Sequence, residues 1–226
     1  MNASNVTAAI ETRKSVRVYL ERPVAEPLLR EILELAQLSP SGGNLQPCKV
    51  YALTGEVRQT LCDTVMERCM ANPAGEPGDI PIYPDGLQEP WRSRRLACGE
   101  LMYDALRIPR EDKLARLGQV MKNFAFFDAP VGMLFTMDLS LSRAQLVDVG
   151  ILMQSVMLLA RERGLATCPQ ASWAMWPDTV REVLGLDNNV MVLAGMALGY
   201  AKEDEPVNSM QQPRVPPAQS FSIRGF

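Results

Sequence analysis

This sequence predicts one domain in which helices interleave with short buried strands, and three observations lead to it. Apolar residues recur at helical spacing in several stretches, most plainly at Leu28, Leu29, Ile32, Leu33 and Ala36. Three brief apolar runs, 49–54, 131–136 and 190–198, are bounded by turn residues and read as strands. The chain has 226 residues, 47% of them hydrophobic, enough for one substantial core. No internal repeat or low-complexity block interrupts it, so residues 1–226 read as a single domain.

The elements follow in order. Residues 6–12 form a short helix with Ser4 or Asn5 as its cap. Residues 15–19 alternate and include β-branched side chains, which favours extended chain. Pro27 stands where a first helical residue would, and the helix it opens must end before Pro40-Ser41-Gly42-Gly43-Asn44, a strong turn signal. Residues 49–54 then make a buried strand and 56–71 a second long helix. From Asn72 to Pro90 prolines and glycines recur, and so long an irregular segment is either a lid or an insertion without a role. With helices expected over 91–106 and 110–122, residues 72–127 read as a variable insertion or lid.

A strand at 131–136 precedes a helix that Ser142 starts and Gly164 stops. Leu146, Val149, Ile151, Leu152, Val156, Met157, Leu158 and Leu159 are spread around most of that helix, so it should be buried on nearly all sides, centrally or against another subunit. Residues 168–172 read as a proline-bracketed loop, 179–184 as a short helix, and 206–226 as an extended tail that wraps a surface.

Several function classes are excluded. A net charge of -3 argues against nucleic acid and anionic membranes as partners. There is no histidine, which removes Ser-His-Asp and Cys-His machinery, His-ligated zinc and the commonest general base. A bound redox cofactor would relieve that lack, because the reacting atoms then belong to the cofactor. The cysteines Cys48, Cys62, Cys69, Cys98 and Cys168 form no Cys-x-x-Cys pair, so no metal site is expected and they read as reduced, mostly buried thiols of a cytoplasmic protein. The N-terminus lacks a basic start and a long apolar run, so no export signal is expected. The apolar run 190–197 is too short to span a bilayer. Neither G-x-G-x-x-G after a strand nor a P-loop is present, so a nicotinamide substrate would need another kind of site.

Two segments carry ligand chemistry. In extended chain Arg13, Ser15 and Arg17 point to one side, and with Lys14 they could grip a phosphate or form a solvated basic edge. In Pro40-Ser41-Gly42-Gly43-Asn44-Leu45-Gln46-Pro47 the glycines let backbone N–H groups approach a ligand, and Asn44 and Gln46 add amides; a plain helix cap and turn explains the glycines equally well. Residues 168–172 could present a backbone N–H, and Arg214 is a lone cation among tail prolines.

These segments, in this order, resemble the FMN-dependent nitroreductase family. Arg13-Lys14-Ser15-Val16-Arg17-Val18-Tyr19 is similar to its R-x-S-x-R-x-[FY] opening, and Ser39-Pro40-Ser41-Gly42-Gly43-Asn44-Leu45-Gln46-Pro47 to its S-P-S-x-x-N-x-Q-P-W segment. Residues 164–172, the 190–200 strand and the Asn208 to Arg214 tail also resemble it. Cys48 stands where the family usually has tryptophan.

The resemblance implies an α+β, nitroreductase-like fold: a central, mostly antiparallel sheet flanked by helices in an intertwined homodimer with FMN at the interface. It implies that Arg13, Lys14, Ser15 and Arg214 hold the FMN phosphate and ribityl, and that Arg17 lies at the N1–C2=O edge. Pro40, Ser41, Gly42, Asn44 and Gln46 would approach from the partner subunit. Pro169, Gln170 and Ala171 would cover one flavin face. It implies ping-pong hydride transfer from NAD(P)H through the flavin to a nitroaromatic, giving nitroso and then hydroxylamine products, with no side-chain nucleophile. Trp91, Phe124, Phe126 and Trp173 are candidates to stack an aromatic substrate, but core packing is the readier reading of each. Reduction of quinones, enones or free flavin, or flavin binding without turnover, are the competing readings.

Overall fold

The computed structural model describes residues 5–226; Ser4, one of the two expected caps, lies outside them. Helix α1 (Val6–Thr12) is capped by Asn5, whose side chain accepts from the Ala8 N–H. Helix α2 (Glu26–Ala36) carries Pro27 in its first turn and buries Leu29, Ile32 and Ala36, the periodic face the sequence predicts. Strand β1 (Cys48–Leu53) and helix α3 (Gly55–Ala71) follow. Helices α4 (Trp91–Ala105) and α5 (Lys113–Met121) lie in the expected insertion, and β2 (Val131–Asp138) leaves it. Ser142 closes a capping box with Gln145 and opens the long helix α6 (Leu146–Glu162). Strand β3 (Ala166–Gln170), α7 (Pro177–Leu184), β4 (Val190–Gly199) and the short α8 (Pro206–Ser209) and α9 (Pro217–Ser220) complete the order.

The four strands form one antiparallel sheet in the order β1-β2-β4-β3. One face of the sheet packs against α2 and α6; the other covers α3, the 122–128 turn, the turn before α7 and α7 itself. The segment from Ser15 to Tyr19 is extended as expected. It is held as a border strip, with one parallel bridge from Ser15 to Thr167 and one antiparallel bridge from Tyr19 to Ala201.

Two expectations need correction. Residues 166–170 are a strand and not a loop. Pro169 concealed it, yet β3 lies at the sheet edge, where a missing N–H costs no ladder bond. Helix α6 is not buried on all sides within the chain. Val149, Val156 and Ala160 are buried while Val147 is 66% exposed and Ile151 37%, so a largely apolar face is left outward. By length and hydropathy alone residues 143–162 could also cross a bilayer, against the expectation drawn from 190–197. A membrane would, however, meet Asp148 and Arg161 on the same helix.

The start of the irregular segment is fastened down. The Glu76 carboxylate accepts from the Asp178 and Thr179 N–H groups at the start of α7, and Asp79 pairs with buried Arg181 at 2.5 Å.

Candidate functional site

Four cations converge in position or in sequence on the strip beside β3. Arg13, Lys14 and Arg17 are half-buried and Arg214 is exposed. Among the described residues none of the four has a carboxylate within 4.0 Å, although nine ion pairs form elsewhere. Partial burial first, and then the nearby positive charge of Arg214, hold the Arg13 guanidinium below its ordinary pKa. Residues 13 and 214, from opposite ends of the chain, are thus close enough to repel. An anion between them would turn that repulsion into attraction.

Buried polar atoms without partners lie alongside. Thr167 Oγ1, Gln170 Oε1 and Ser172 Oγ, all on β3 or the turn after it, make no hydrogen bond within the chain. Thr167 bridges Ser15, and its carbonyl accepts from the Val16 N–H at 3.0 Å. Unpartnered buried groups are rare in folded proteins because each forfeits its hydration. Thr167, which lines a cleft with Arg13 and Lys14, sets one such group beside unpaired cations, and this fits a phosphorylated, hydrogen-bonding ligand such as FMN. On the same strand, burial pushes the Cys168 thiol up to about 11, Arg17 and Arg13 opposing, so it stays protonated and unreactive.

Asn208 was not singled out as a site residue in the sequence. It is 2% exposed, and its Oδ1 accepts from the Arg17 and Val18 N–H groups at 2.8 and 3.3 Å. Its Nδ2 donates to the Val18 and Lys202 carbonyls at 2.7 and 2.9 Å. One amide therefore fixes the strip that carries Arg13 to Arg17. Asn208→Ala leaves the Arg17 and Val18 N–H groups without a partner, while the Val18 and Lys202 carbonyls keep their backbone donors, and is expected to cost about 2–4 kcal/mol. Thermal unfolding of the flavin-free protein checks this, and the same variant should weaken flavin binding.

The second segment sits elsewhere. Gly42 N–H donates to Asp148 Oδ1 at 3.1 Å, and Ser39 Oγ meets Ser155 Oγ at 2.7 Å, which lays residues 39–44 along the first half of α6. Pro40, Gly42, Asn44 and Gln46 are exposed and Ser41 is half-buried, its Oγ accepting from the Gln46 N–H. Asn44 and Gln46 both have positive φ, at 55° and 49°, a conformation that is uncommon away from glycine and clusters at functional sites. Arg13 lies by contrast at the far end of α6, where Arg161 Nε donates to Thr12 Oγ1. From Asp148 to Arg161 the helix rises about 20 Å. One chain does not bring the two segments together.

Three of the four aromatic candidates gather, but in the core, which favours packing over their reading as a substrate platform. Phe124, Phe126 and Trp173 are core: Phe126 stacks on Trp173 at 4.3 Å, and Phe124 meets it edge-on at 6.0 Å. Trp91 is exposed at the start of α4. In the third segment Pro169 and Gln170 belong to β3, Gln170 is buried with Nε2 donating to the Asn123 carbonyl at 2.7 Å, and Ala171 is exposed.

A cleft lined by Thr12, Arg13, Lys14, Arg161, Thr167 and Asn208 encloses only about 20 Å³, room for a water and not for a flavin. One chain thus supplies a grip for a phosphate and one wall of a site.

A four-stranded antiparallel sheet edged by a cationic strip, with unpaired polar groups along the edge strand, defines an α+β protein built to hold a phosphorylated, hydrogen-bonding ligand. The nitroreductase family profile matches residues 10–200, and the chain belongs to that family. It is 38% identical over 220 residues to a 4-nitrobenzoate reductase of Pseudomonas putida, covering 97% of this chain and 95% of the relative. It is 40% identical over 201 residues to a nitrobenzene nitroreductase of Ectopseudomonas oleovorans, covering 89% and 88%. Among solved structures, the FMN and NADPH-dependent nitroreductase NfnB from Sphigopyxis sp. strain HMH superposes with a TM-score of 0.95 at 42% identity, covering 98% of this chain and all of that one. The tail beyond residue 200 lies outside the profile match.

Proposed function

We infer that this chain is an FMN-dependent oxidoreductase that passes hydride from NAD(P)H to nitroaromatic compounds. The observation that carries the reading is the unpaired cationic strip of Arg13, Lys14, Arg17 and Arg214 beside the unpartnered Thr167 hydroxyl of β3. The relatives named for nitrobenzoate and nitrobenzene reduction support the acceptor class. FMN, when bound, accepts hydride from the nicotinamide and delivers electrons to the nitro group two at a time.

The chain's own residues hold and orient. Arg13, Lys14 and Arg214 neutralise the phosphate, and the Ser15 hydroxyl donates a hydrogen bond to it. Arg17 places positive charge where a reduced flavin would carry negative charge. Thr167, Gln170 and Ser172 offer hydrogen bonds along the same edge, and Ala171 contributes exposed backbone. With no histidine in the chain, protons are drawn from water.

A second copy completes the site. Residues 40–46 and Arg13 occupy opposite ends of α6, so a twofold partner whose α6 packs antiparallel would carry its 40–46 segment to this chain's Arg13. The outward apolar face of α6 suits that contact, since fully buried apolar area stabilises by about 25 cal/mol per Å². Residues 72–127 form the variable part, acting as a lid beyond Asp79, the 206–226 tail wraps the assembly, and the protein works in the cytoplasm.

The test is an absorbance spectrum of the purified protein. A yellow protein that bleaches anaerobically with NADPH or NADH, and recovers its colour on adding nitrobenzene, is expected. A colourless protein would overturn the reading. A yellow one that never bleaches would make it a flavin binder without turnover, and recovery only with quinones, enones or free flavin would shift the acceptor class.

A further inference from the structure

Helix α4 buries no residue at all, although it spans fifteen positions. Its apolar residues are exposed (Trp91, Leu96) or only half-buried (Leu101, Met102, Tyr103), so it contributes little to the core and its presence calls for another account. Its first turn and a half carries Arg92, Arg94 and Arg95, all exposed, and none has a carboxylate within 4.0 Å among the described residues. In a chain of net charge -3 this is a local reversal of sign. Arg95 is also fixed, its guanidinium lying over the Tyr83 ring at 4.1 Å, which leaves its edge N–H groups free.

The arm formed by α4 and α5 is tied at two points that also carry candidate site residues. Helix α4 packs on α8, whose Asn208 clamps the Arg17 backbone. Helix α5 packs on the 122–128 turn, where the Asn123 carbonyl takes the Gln170 amide. Between them Arg116 grips Glu100 through two bonds of 2.8 and 2.9 Å and lies over Tyr103, which ties α5 to α4. The arm therefore borders the strip while presenting unneutralised cations outward.

We propose that Arg92, Arg94 and Arg95 dock the anionic oxygens that a visiting substrate carries away from its reacting end. This rests on the reading of the chain as an NAD(P)H-dependent nitroreductase. Two substrates carry such oxygens: the 2′-phosphate distinguishes NADPH from NADH, and a ring carboxylate distinguishes a nitrobenzoate from nitrobenzene. Guanidinium forks suit both groups.

The experiment compares the native protein with the double variant Arg94→Gln/Arg95→Gln in four pairings, NADPH or NADH with 4-nitrobenzoate or nitrobenzene. Calorimetric titration with adenosine 2′,5′-bisphosphate and with 4-nitrobenzoate supplies a readout besides turnover. Loss of charge-assisted hydrogen bonds is expected to lower the NADPH-to-NADH ratio of kcat/KM, or the nitrobenzoate-to-nitrobenzene ratio, by about 10- to 100-fold, with matching weakening of the corresponding titration. A fall in the first ratio assigns the site to the coenzyme phosphate and a fall in the second to the carboxylate. Unchanged ratios, or an equal loss in all four pairings, would overturn the proposal. A colourless native protein would instead sink the flavin reading, so the two failures are distinguishable.

Discussion

Arg13→Ala combined with Ser15→Ala is expected to give a folded chain that no longer retains flavin. Arg13 is half-buried, has no carboxylate partner, and already carries a cost from Arg214 nearby, which only an anion relieves. Removing a charge-assisted contact costs about 1.5–3 kcal/mol and a neutral one about 0.5–1.5. Together these correspond to a loss of about 30- to 2,000-fold in FMN affinity. The fold should tolerate the change, since the bridge from Ser15 to Thr167 is made by main chain. Relief of the repulsion between Arg13 and Arg214 should leave the flavin-free variant melting no lower than the native chain. Fluorescence titration with FMN and with riboflavin separates phosphate grip from general damage. FMN should lose its advantage over riboflavin, with riboflavin affinity nearly unchanged. Retention of native flavin occupancy and reduction rate would show that the strip does something else.

What the sequence disclosed, and what it hid, divides along the reach of local information. The buried face of α2 and the caps at Asn5 and Ser142 depend on neighbours a few residues away, and they appear where spacing and side-chain chemistry put them. Strands β2 and β4 are continuous apolar runs because the sheet is covered on both faces there, so they too are visible, whereas β1, expected as a buried strand, is an edge strand in which only Leu53 is buried. Strand β3 was masked by Pro169, whose tolerance depends on an edge position that no local pattern reveals. The circumference of α6 is apolar, but its outer face has nothing in the chain to cover it, and composition alone cannot distinguish a central helix from a contact surface. Asn208 is a clamp only because the tail returns to Val18, and a buried amide with four bonds reads in sequence as any polar residue. Phe124, Phe126 and Trp173 are ring-stacking candidates in sequence only as aromatic residues; in the fold they pack on one another in the core.

Gly195→Ala is expected to be the most damaging single-methyl change in the chain, and the reason lies in how those rings are seated. A Cβ at Gly195 would run into Trp173 Cδ1 and stand 2.7 Å from its Nε1, and one at Gly132 would stand 2.5 Å from the Phe126 ring. The two glycines lie on adjacent strands, β2 and β4, and together make the flat seat on which Phe126 and Trp173 stack. The seat fixes more than packing. Phe126, Phe127 and Asp128 are three successive residues with positive φ, a left-handed run costing about 1–2 kcal/mol per residue that packing must offset. Trp173 sits in the turn directly after β3, so lifting its ring also shifts Gln170 and Ser172, the orphaned groups of the candidate site. Because both rings are buried and the indole cannot retreat, the cost should reach the upper end for overpacking, about 3 kcal/mol. In a chain of this size that lowers Tm by about 6–12 °C. Scanning calorimetry of the flavin-free protein checks the size, and flavin affinity should fall alongside. Adding Trp173→Leu, which removes the ring that the new methyl strikes, should make the Gly195→Ala step far less costly than it is beside the native tryptophan. If the methyl costs as much with leucine at 173 as with tryptophan, the clash at the indole is not what the glycine avoids.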